Sequence, residues 1–229
     1  MDAQTLSELL QPFFNANLSE SQLSQLSTYL ELLLKWNRKM NLTAVREPEE
    51  IVKRHFGESL FAAGVLGKIL GQRTTLLDFG SGAGFPGLPV KIALPALQVT
   101  LAESQRKKAM FLREACRSLA LAGIEVFAGR AEQLNQQFDV VTMRAVDEQE
   151  SLLTAASKLI APGGFLVLML GTQGIKISKA ALPGFRWQDP VQIPNSEGRW
   201  VLTGEKTSST TQIPLSSLGN VPRGTSRHQ

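Results

Sequence analysis

The chain has one cysteine, Cys116, two histidines, His55 and His228, and one tyrosine, Tyr29. A lone cysteine excludes a disulfide within the chain and a zinc site of four cysteines. Cys116 lies in a helix-like run, Lys107 to Leu121, where it reads as core or neutral filler rather than as a nucleophile. His55 has no histidine or cysteine companion at ligand spacing, so no metal site is expected. Long apolar runs are also missing. The longest, Phe165 to Leu170, is far below the roughly 20 residues that cross a bilayer. Met1-Asp2-Ala3-Gln4 carries no basic stretch leading into an apolar one, so no signal peptide and a cytoplasmic location are expected.

What is present suits a folded α/β chain. Of 229 residues, 43% are hydrophobic and 19% charged, enough apolar material for a sizeable core and too much for a mainly disordered chain. The net charge of +4 is modest but unevenly spread. Residues 1–34 contain four acids and no base, whereas 35–54 contain six bases (Lys35, Arg38, Lys39, Arg46, Lys53, Arg54) and three acids. Arg106, Lys107, Lys108, Arg113 and Arg117 form a second basic group. Charge alone fits either a polyanion such as RNA or two solvated helix faces.

The first third reads as helical. Ser19 with Gln22 resembles a capping box, and Leu23, Leu26, Leu30, Leu33 and Trp36 follow at helical spacing. Pro48 suits a first helical turn, and Ile51, Phe56, Leu60, Ala63 and Leu66 continue a second helix, weakened by Gly57. From Thr74 strands and helices alternate. Strands are expected at 74–78, 98–103, 124–128, 138–143 and 165–170, and helices at 85–94, 106–121 and 148–160, the last stopped by Ala161-Pro162-Gly163-Gly164. Val191-Gln192-Ile193 and Arg199 to Thr203 suggest a closing antiparallel pair. Repeated βα units imply a mostly parallel sheet with helices on both faces. The expected organisation is a helical cap over 1–70, an α/β domain over 71–206, and a flexible tail over 207–229 rich in Ser, Thr, Pro and Gly.

The informative segment is Asp78-Phe79-Gly80-Ser81-Gly82-Ala83-Gly84-Phe85-Pro86-Gly87. Its second half fits the dinucleotide pattern G-x-G-x-x-G, and Glu103 is suitably placed to hold a ribose. Glycines alone do not discriminate, because any close approach of backbone to ligand favours them. Asp78 does. A carboxylate ending the first strand repels a pyrophosphate, but attracts the ammonium and sulfonium of S-adenosylmethionine, directly or through water. Glu103, ending the neighbouring strand, accepts the protons of both ribose hydroxyls. With one tyrosine and two histidines, the chain has little with which to support hydride transfer.

These residues, with others, carry a likeness to a known family. Leu34-Lys35-Trp36-Asn37-Arg38-Lys39-Met40-Asn41-Leu42-Thr43, then Arg54-His55, Leu77 to Pro89, Gly129-Arg130-Ala131-Glu132, Phe138 to Ala145 and Gly198-Arg199-Trp200 resemble the bacterial 16S ribosomal RNA methyltransferase G family, also called glucose-inhibited division protein B. The match covers roughly residues 20–205. The Trp-Asn and Asn-Leu-Thr elements read with Gly-Phe-Pro-Gly are specific, and the remainder fits many class I methyltransferases. The resemblance implies a class I S-adenosylmethionine-dependent methyltransferase fold (Rossmann-like, with a mostly parallel seven-stranded sheet) behind the helical cap. It implies methylation of N7 of one guanine in the decoding-region loop of 16S rRNA, alone or within the 30S subunit or a precursor, by a monomer. By matching motif, Gly80, Gly82 and Phe85 line the cofactor, Asp78 and Glu103 hold it, and Ala131-Glu132 border the adenine. Arg144 reaches the place where cofactor and base meet, as a positioning group. Arg54, His55, Lys107 and Lys108 are the expected RNA contacts.

Three segments depart from the family pattern: Glu58-Ser59 for Asp-Ser, Met169-Leu170-Gly171 for Leu-Lys-Gly, and the acidic Ala145-Val146-Asp147-Glu148-Gln149-Glu150. Some roles stay open. Phe85 either walls the ligand or packs the loop. Arg144 either meets substrate and cofactor or forms a salt bridge with Asp147 or Glu148. His55 and Glu58, three residues apart, either pair locally or tie the cap to the site rim. Guanine N7 carries a lone pair and no proton, so the reaction needs alignment rather than a general base. Two alternatives remain: a methyltransferase for another RNA or a small molecule, and a noncatalytic rRNA-binding protein.

Overall fold

The computed structural model describes residues 1–144 and 150–207. All of the expected tail except Thr207, and the Asp147 and Glu148 pairing offered for Arg144, fall outside those residues.

Helix α1 (Ala3–Leu10) opens on Asp2, whose side chain caps Thr5 N. Helix α2 (Glu20–Met40) starts with the expected capping box between Ser19 and Gln22. It buries Leu26, Tyr29, Leu30, Leu33 and Asn37 along one face, at the spacing of a helical stripe. It ends at Asn41, which adopts the left-handed conformation at φ 49°. Helix α3 (Pro48–Ile51) has proline in its first turn, as expected. It passes through a π-helical turn, Val52–Gly57, into α4 (Glu58–Ile69). Gly57 is needed there because a Cβ would lie 2.6 Å from the Phe13 ring.

The sheet follows the order β3-β2-β1-β4-β5-β8-β6, with short β7 beside β8. Strands β1 (Thr75–Phe79), β2 (Gln98–Ala102), β3 (Ile124–Phe127), β4 (Phe138–Arg144) and β5 (Ile160–Gly171) pair in parallel. β8 (Arg199–Lys206) runs antiparallel to β5, β6 (Phe185–Trp187) and β7 (Val191–Gln192). Helices α5 (Gly87–Ala93), α6 (Arg106–Ser118), α7 (Glu150–Lys158) and α8 (Thr172–Ala181) complete the chain. The strand order reverses between β1 and β4, the switch point at which open α/β sheets bind ligands.

One expectation fails at β5. Ala161-Pro162-Gly163-Gly164 does not separate a helix from a later strand; it lies inside β5 as an irregularity. Phe138 pairs with Ile160, whereas Val140 pairs with Phe165. Gly163 supplies a φ of +73° there, and its carbonyl accepts a 2.6 Å hydrogen bond from Arg73 Nη2.

The core explains why the helices sit where they do. One apolar cluster joins Leu6, Tyr29, Leu33 and Phe56 of the helices to Leu76, Val99 and Val140 of the sheet. A second fills the opposite face, with Leu77, Val141, Leu153, Leu166 and Leu202. The amino-terminal helices therefore close one side of the sheet's own core. No helix among the described residues is long and apolar enough to cross a membrane.

Candidate functional site: the glycine turn and its two acids

The turn after β1 is held from both ends by carboxylates. Asp78 and Glu103 end two parallel neighbours, with Asp78 in register with Leu101. Gly87 N donates to Asp78 Oδ2 at 3.1 Å and Thr142 Oγ1 to Asp78 Oδ1 at 2.9 Å. Gly82 N donates to Glu103 Oε2 at 2.9 Å, and Gln105 N to Glu103 Oε1 at 2.7 Å. Between them, Gly80 N and Ser81 N both donate to Ala102 O.

Glycine is required at two places for different reasons. At Gly87 a Cβ would lie 2.7 Å from Asp78 Oδ2, so the close approach of α5 to the carboxylate admits no side chain. At Gly80 the backbone takes φ +75° and a Cβ would meet nothing within 4 Å. That open space leaves the backbone of the turn accessible to a ligand.

Asp78 is 1% exposed, and burial pushes its carboxyl up to about 6, against the pull of its hydrogen bonds from Ser81, Thr142 and Gly87. Its charge therefore lies beneath the turn, spent on Gly87 and Thr142. In the chain itself the acid braces the start of α5 and β4; from sequence it is expected to meet a cofactor ammonium directly or through water. Glu103 is nearly as buried at 5%, but each of its oxygens accepts a single protein N–H and keeps a free lone pair for a hydroxyl. Ala131 begins a short turn, Ala131–Gln133, after β3. Glu103 N donates to Phe127 O at 3.0 Å, extending the pairing of β2 with β3 towards that turn. Ala131 is buried and Glu132 exposed, the latter 3.4 Å from Arg130.

Phe85 turns its ring inward. It is 7% exposed and stacks against His55 at 4.9 Å and Tyr29 at 5.4 Å, with Phe56 at 5.5 Å. Of the two readings open for it, the contacts show the ring packing the loop. Tyr29, which sequence reasoning left on a helix face, donates its hydroxyl to Ala83 O beneath the turn. A single tyrosine in an apolar helical stripe gave no signal of that contact.

His55 is also displaced from its expected role. Its Nε2 lies 2.7 Å from Thr43 Oγ1. Burial, reinforced by Arg144 and Arg54, lowers its pKa to about 3, so it is an uncharged wall behind Phe85 rather than a phosphate ligand. Thr43 is itself held through its N–H by Asn37 Oδ1 at 2.9 Å. Asn37 and Thr43 thus act structurally, relaying from α2 through His55 to the turn.

Arg144, at the end of β4, donates to Glu58 Oε2 at 2.8 Å and to Arg54 O at 2.7 Å. Glu58 Oε1 lies 2.8 Å from Arg199 Nε, a contact of charge rather than an aligned hydrogen bond. Glu58 and His55 therefore reach separate partners, and Glu58 ties α4 to β4 and β8. Arg54, Glu58, Arg144, Arg199 and Met169 line a pocket of about 250 Å³. Arg199 was not foreseen as part of it; an arginine between Gly198 and Trp200 has no local pattern that marks it. Arg54 and Lys107 are exposed and Lys108 half-buried, the last two in the first turn of α6 just beyond Glu103. Cys116 is half-buried, and burial pushes its thiol up to about 11, which excludes a resting thiolate.

The family model for rRNA small subunit methyltransferase G matches residues 22–180. The chain belongs to this family. It is 44% identical to the ribosomal RNA small subunit methyltransferase G of Xanthomonas campestris pv. campestris (strain B100), over 74% of this chain and 80% of that one. It is 37% identical to the protein of the same description from Desulfitobacterium hafniense (strain Y51), over 90% of each. Among solved structures it resembles magnesium protoporphyrin IX methyltransferase from Synechocystis PCC 6803 with bound SAM, at 12% identity. The TM-score is 0.59, over 78% of this chain and 97% of that one. A SAM-dependent methyltransferase from Aquifex aeolicus aligns with a TM-score of 0.56 at 16% identity, over 73% and 97%. The fold is that of class I S-adenosylmethionine-dependent methyltransferases, with a helical cap, and the chain is a methyltransferase.

Proposed function

We propose that the chain transfers the methyl group of S-adenosylmethionine to N7 of a guanine in the decoding-region loop of 16S rRNA. The observation that carries this reading is the braced turn: Glu103 with free lone pairs beside Gly82, and open space in front of Gly80. Membership of the rRNA methyltransferase G family supplies the substrate class.

The donor supplies a methyl group already activated on a sulfonium; the chain's residues position it and the base. Glu103 accepts the ribose hydroxyl protons, and Ala131 with Glu132 borders the adenine. Gly80, Gly82 and the backbone of Phe85 form the floor. Asp78 acts at one remove, fixing Gly87 and Thr142. Guanine N7 needs no base, so Arg144 contributes by aiming its guanidinium at O6 or a neighbouring phosphate. Glu58 fixes the direction of that guanidinium. Arg54, Lys107 and Lys108 take backbone phosphates, whose contribution is charge rather than sequence. The amino-terminal 1–70 region serves as a cap bracing the turn through Tyr29 and His55, and the chain works as a monomer in the cytoplasm.

Radiolabelled donor offered with naked 16S rRNA, a precursor particle and assembled 30S subunits tests the reading. Label in the RNA fraction of at least one of them is expected. Label only on protein or small metabolites contradicts it.

A further inference from the structure

Away from the turn, the last turns of α2 pack against α6 and leave a mostly apolar groove of about 310 Å³. It is lined by Lys35, Trp36, Lys39, Met40 and Glu114. Trp36 is half-buried and rests against the buried ring of Phe111, with centroids 5.7 Å apart. Met110, one turn before Glu114 on the same face of α6, is 51% exposed. It is one of only two large apolar side chains so exposed among the described residues. An indole and two methionines at the surface are an unfavourable use of apolar area unless something covers them.

The charge around the groove says what that is. Lys35, Arg38 and Lys39 are exposed with no acid among them, and α6 carries five bases to one acid, Glu114. An acidic or phosphate-bearing chain is favoured over a neutral apolar peptide. An apolar floor holding an indole, rimmed by lysine and arginine, is the combination that binds unpaired bases by stacking while cations track the phosphates. From the proposed rRNA substrate it follows that the groove is a second RNA contact. We infer that the α2–α6 groove holds an unpaired base of the RNA on Trp36 and Met40, with exposed Met110 flanking it one turn from Glu114 and Lys35 and Lys39 on the adjoining phosphates.

The groove also communicates with the turn by packing. Trp36 touches Phe111, Phe111 touches Tyr29, and Tyr29 touches Phe85. RNA seated there would bear on the same aromatic column that supports the glycine turn, which suits a docking site that aligns substrate without entering the chemistry.

The test compares full-length wild type with Met110→Glu, Lys39→Glu, Trp36→Leu and Trp36→Phe in steady-state methylation of naked 16S rRNA and of 30S subunits. Donor affinity is measured in parallel by titration. Met110→Glu and Trp36→Leu should raise the KM for naked RNA by about tenfold. The Phe variant should recover most of that, and kcat and donor affinity should stay unchanged in Met110→Glu, whose side chain lies outside the aromatic column. Lys39→Glu should lower the slope of log affinity against log salt by roughly 0.7 or more. RNA carrying 4-thiouridine should crosslink on irradiation to the peptides containing Trp36 or Met110. Wild-type KM on naked RNA in the Met110→Glu and Trp36→Leu variants overturns the inference, as does a defect confined to 30S subunits, which would place a ribosomal protein in the groove. Absence of any RNA methylation by wild type would instead defeat the underlying functional reading, and crosslinking would still report on the groove.

Discussion

Tyr29 donates its phenolic hydroxyl to the carbonyl of Ala83, and through that bond a residue of the second helix holds the middle of the glycine turn 54 positions later. The ring is fully buried between Phe56 and Phe85, and burial, with Asp78 nearby, keeps the phenol protonated by raising its pKa.

Removing that hydroxyl should therefore act on stability and on the donor together. Tyr29→Phe preserves the ring stack and leaves Ala83 O without its partner, at a cost of about 1–2 kcal/mol. We expect a melting temperature lower by a few degrees and weaker S-adenosylmethionine binding by isothermal titration. Full donor affinity in a destabilised variant would show that the brace does not reach the ligand.

Asp78 predicts an unusual pH response. Its folded-state value of about 6 lies above the ordinary 3.8. Between those limits the native state holds a proton that the unfolded chain has lost, so this group's contribution falls as pH rises and levels off above 6. Asp78→Asn retains an acceptor for Gly87 N–H and removes the buried charge. Relative to wild type it should gain stability at pH 7.5, by on the order of 3 kcal/mol at most, with the gain shrinking towards pH 4. Urea titrations at several pH values measure this, and a constant offset would contradict it.

His55 has the opposite sign. Its folded value of about 3 is below the ordinary 6.5, so its contribution is present above pH 6.5 and is lost as pH falls from there towards 3. His55→Phe keeps a ring against Phe85 and abolishes the titration. Its melting temperature should fall less than that of wild type between pH 7 and 5. Parallel curves would mean that the imidazole is protonated without penalty.

Much of the fold is legible before any coordinates, because buried parallel strands are continuous apolar runs and βα alternation dictates their pairing. Ser19 with Gln22, Pro48, and the pairing of Val191-Gln192 with β8 all appear where local chemistry puts them. β5 was misjudged at its start because Pro162-Gly163-Gly164 is the usual signature of a stop, and only its neighbour β4 absorbs the irregularity. α8 and β6 have weak patterns of their own. Within the site, the residue types at Asp78 and Glu103 were readable, but their direction was not. Whether a carboxylate faces ligand or backbone depends on the helix laid over it. Tyr29, Thr142 and Arg199 reach the site from distant parts of the chain, and no spacing in sequence encodes such meetings.

One carboxylate, that of Glu58, meets both Arg144 and Arg199. Glu58→Gln leaves the Arg144 and Arg199 guanidinium groups, 19% and 34% exposed, facing a neutral amide; burial already raises the Glu58 pKa, so the loss in stability should be small, about 1 kcal/mol. In the folded fraction, kcat/KM for RNA should drop by roughly 10- to 100-fold through misaimed Arg144, with donor affinity changed little. Glu58→Asp should recover part of the activity. Equal loss of donor affinity would place Arg144 on the cofactor instead of the base.

16S rRNA methylated by the pure protein, then treated with borohydride and aniline, should break at a single guanine of the decoding-region loop, since only an N7-methylated guanine is opened by that chemistry. Glu103→Ala protein should give no cut. RNA that carries label yet resists cleavage, or that breaks at many guanines, contradicts the account.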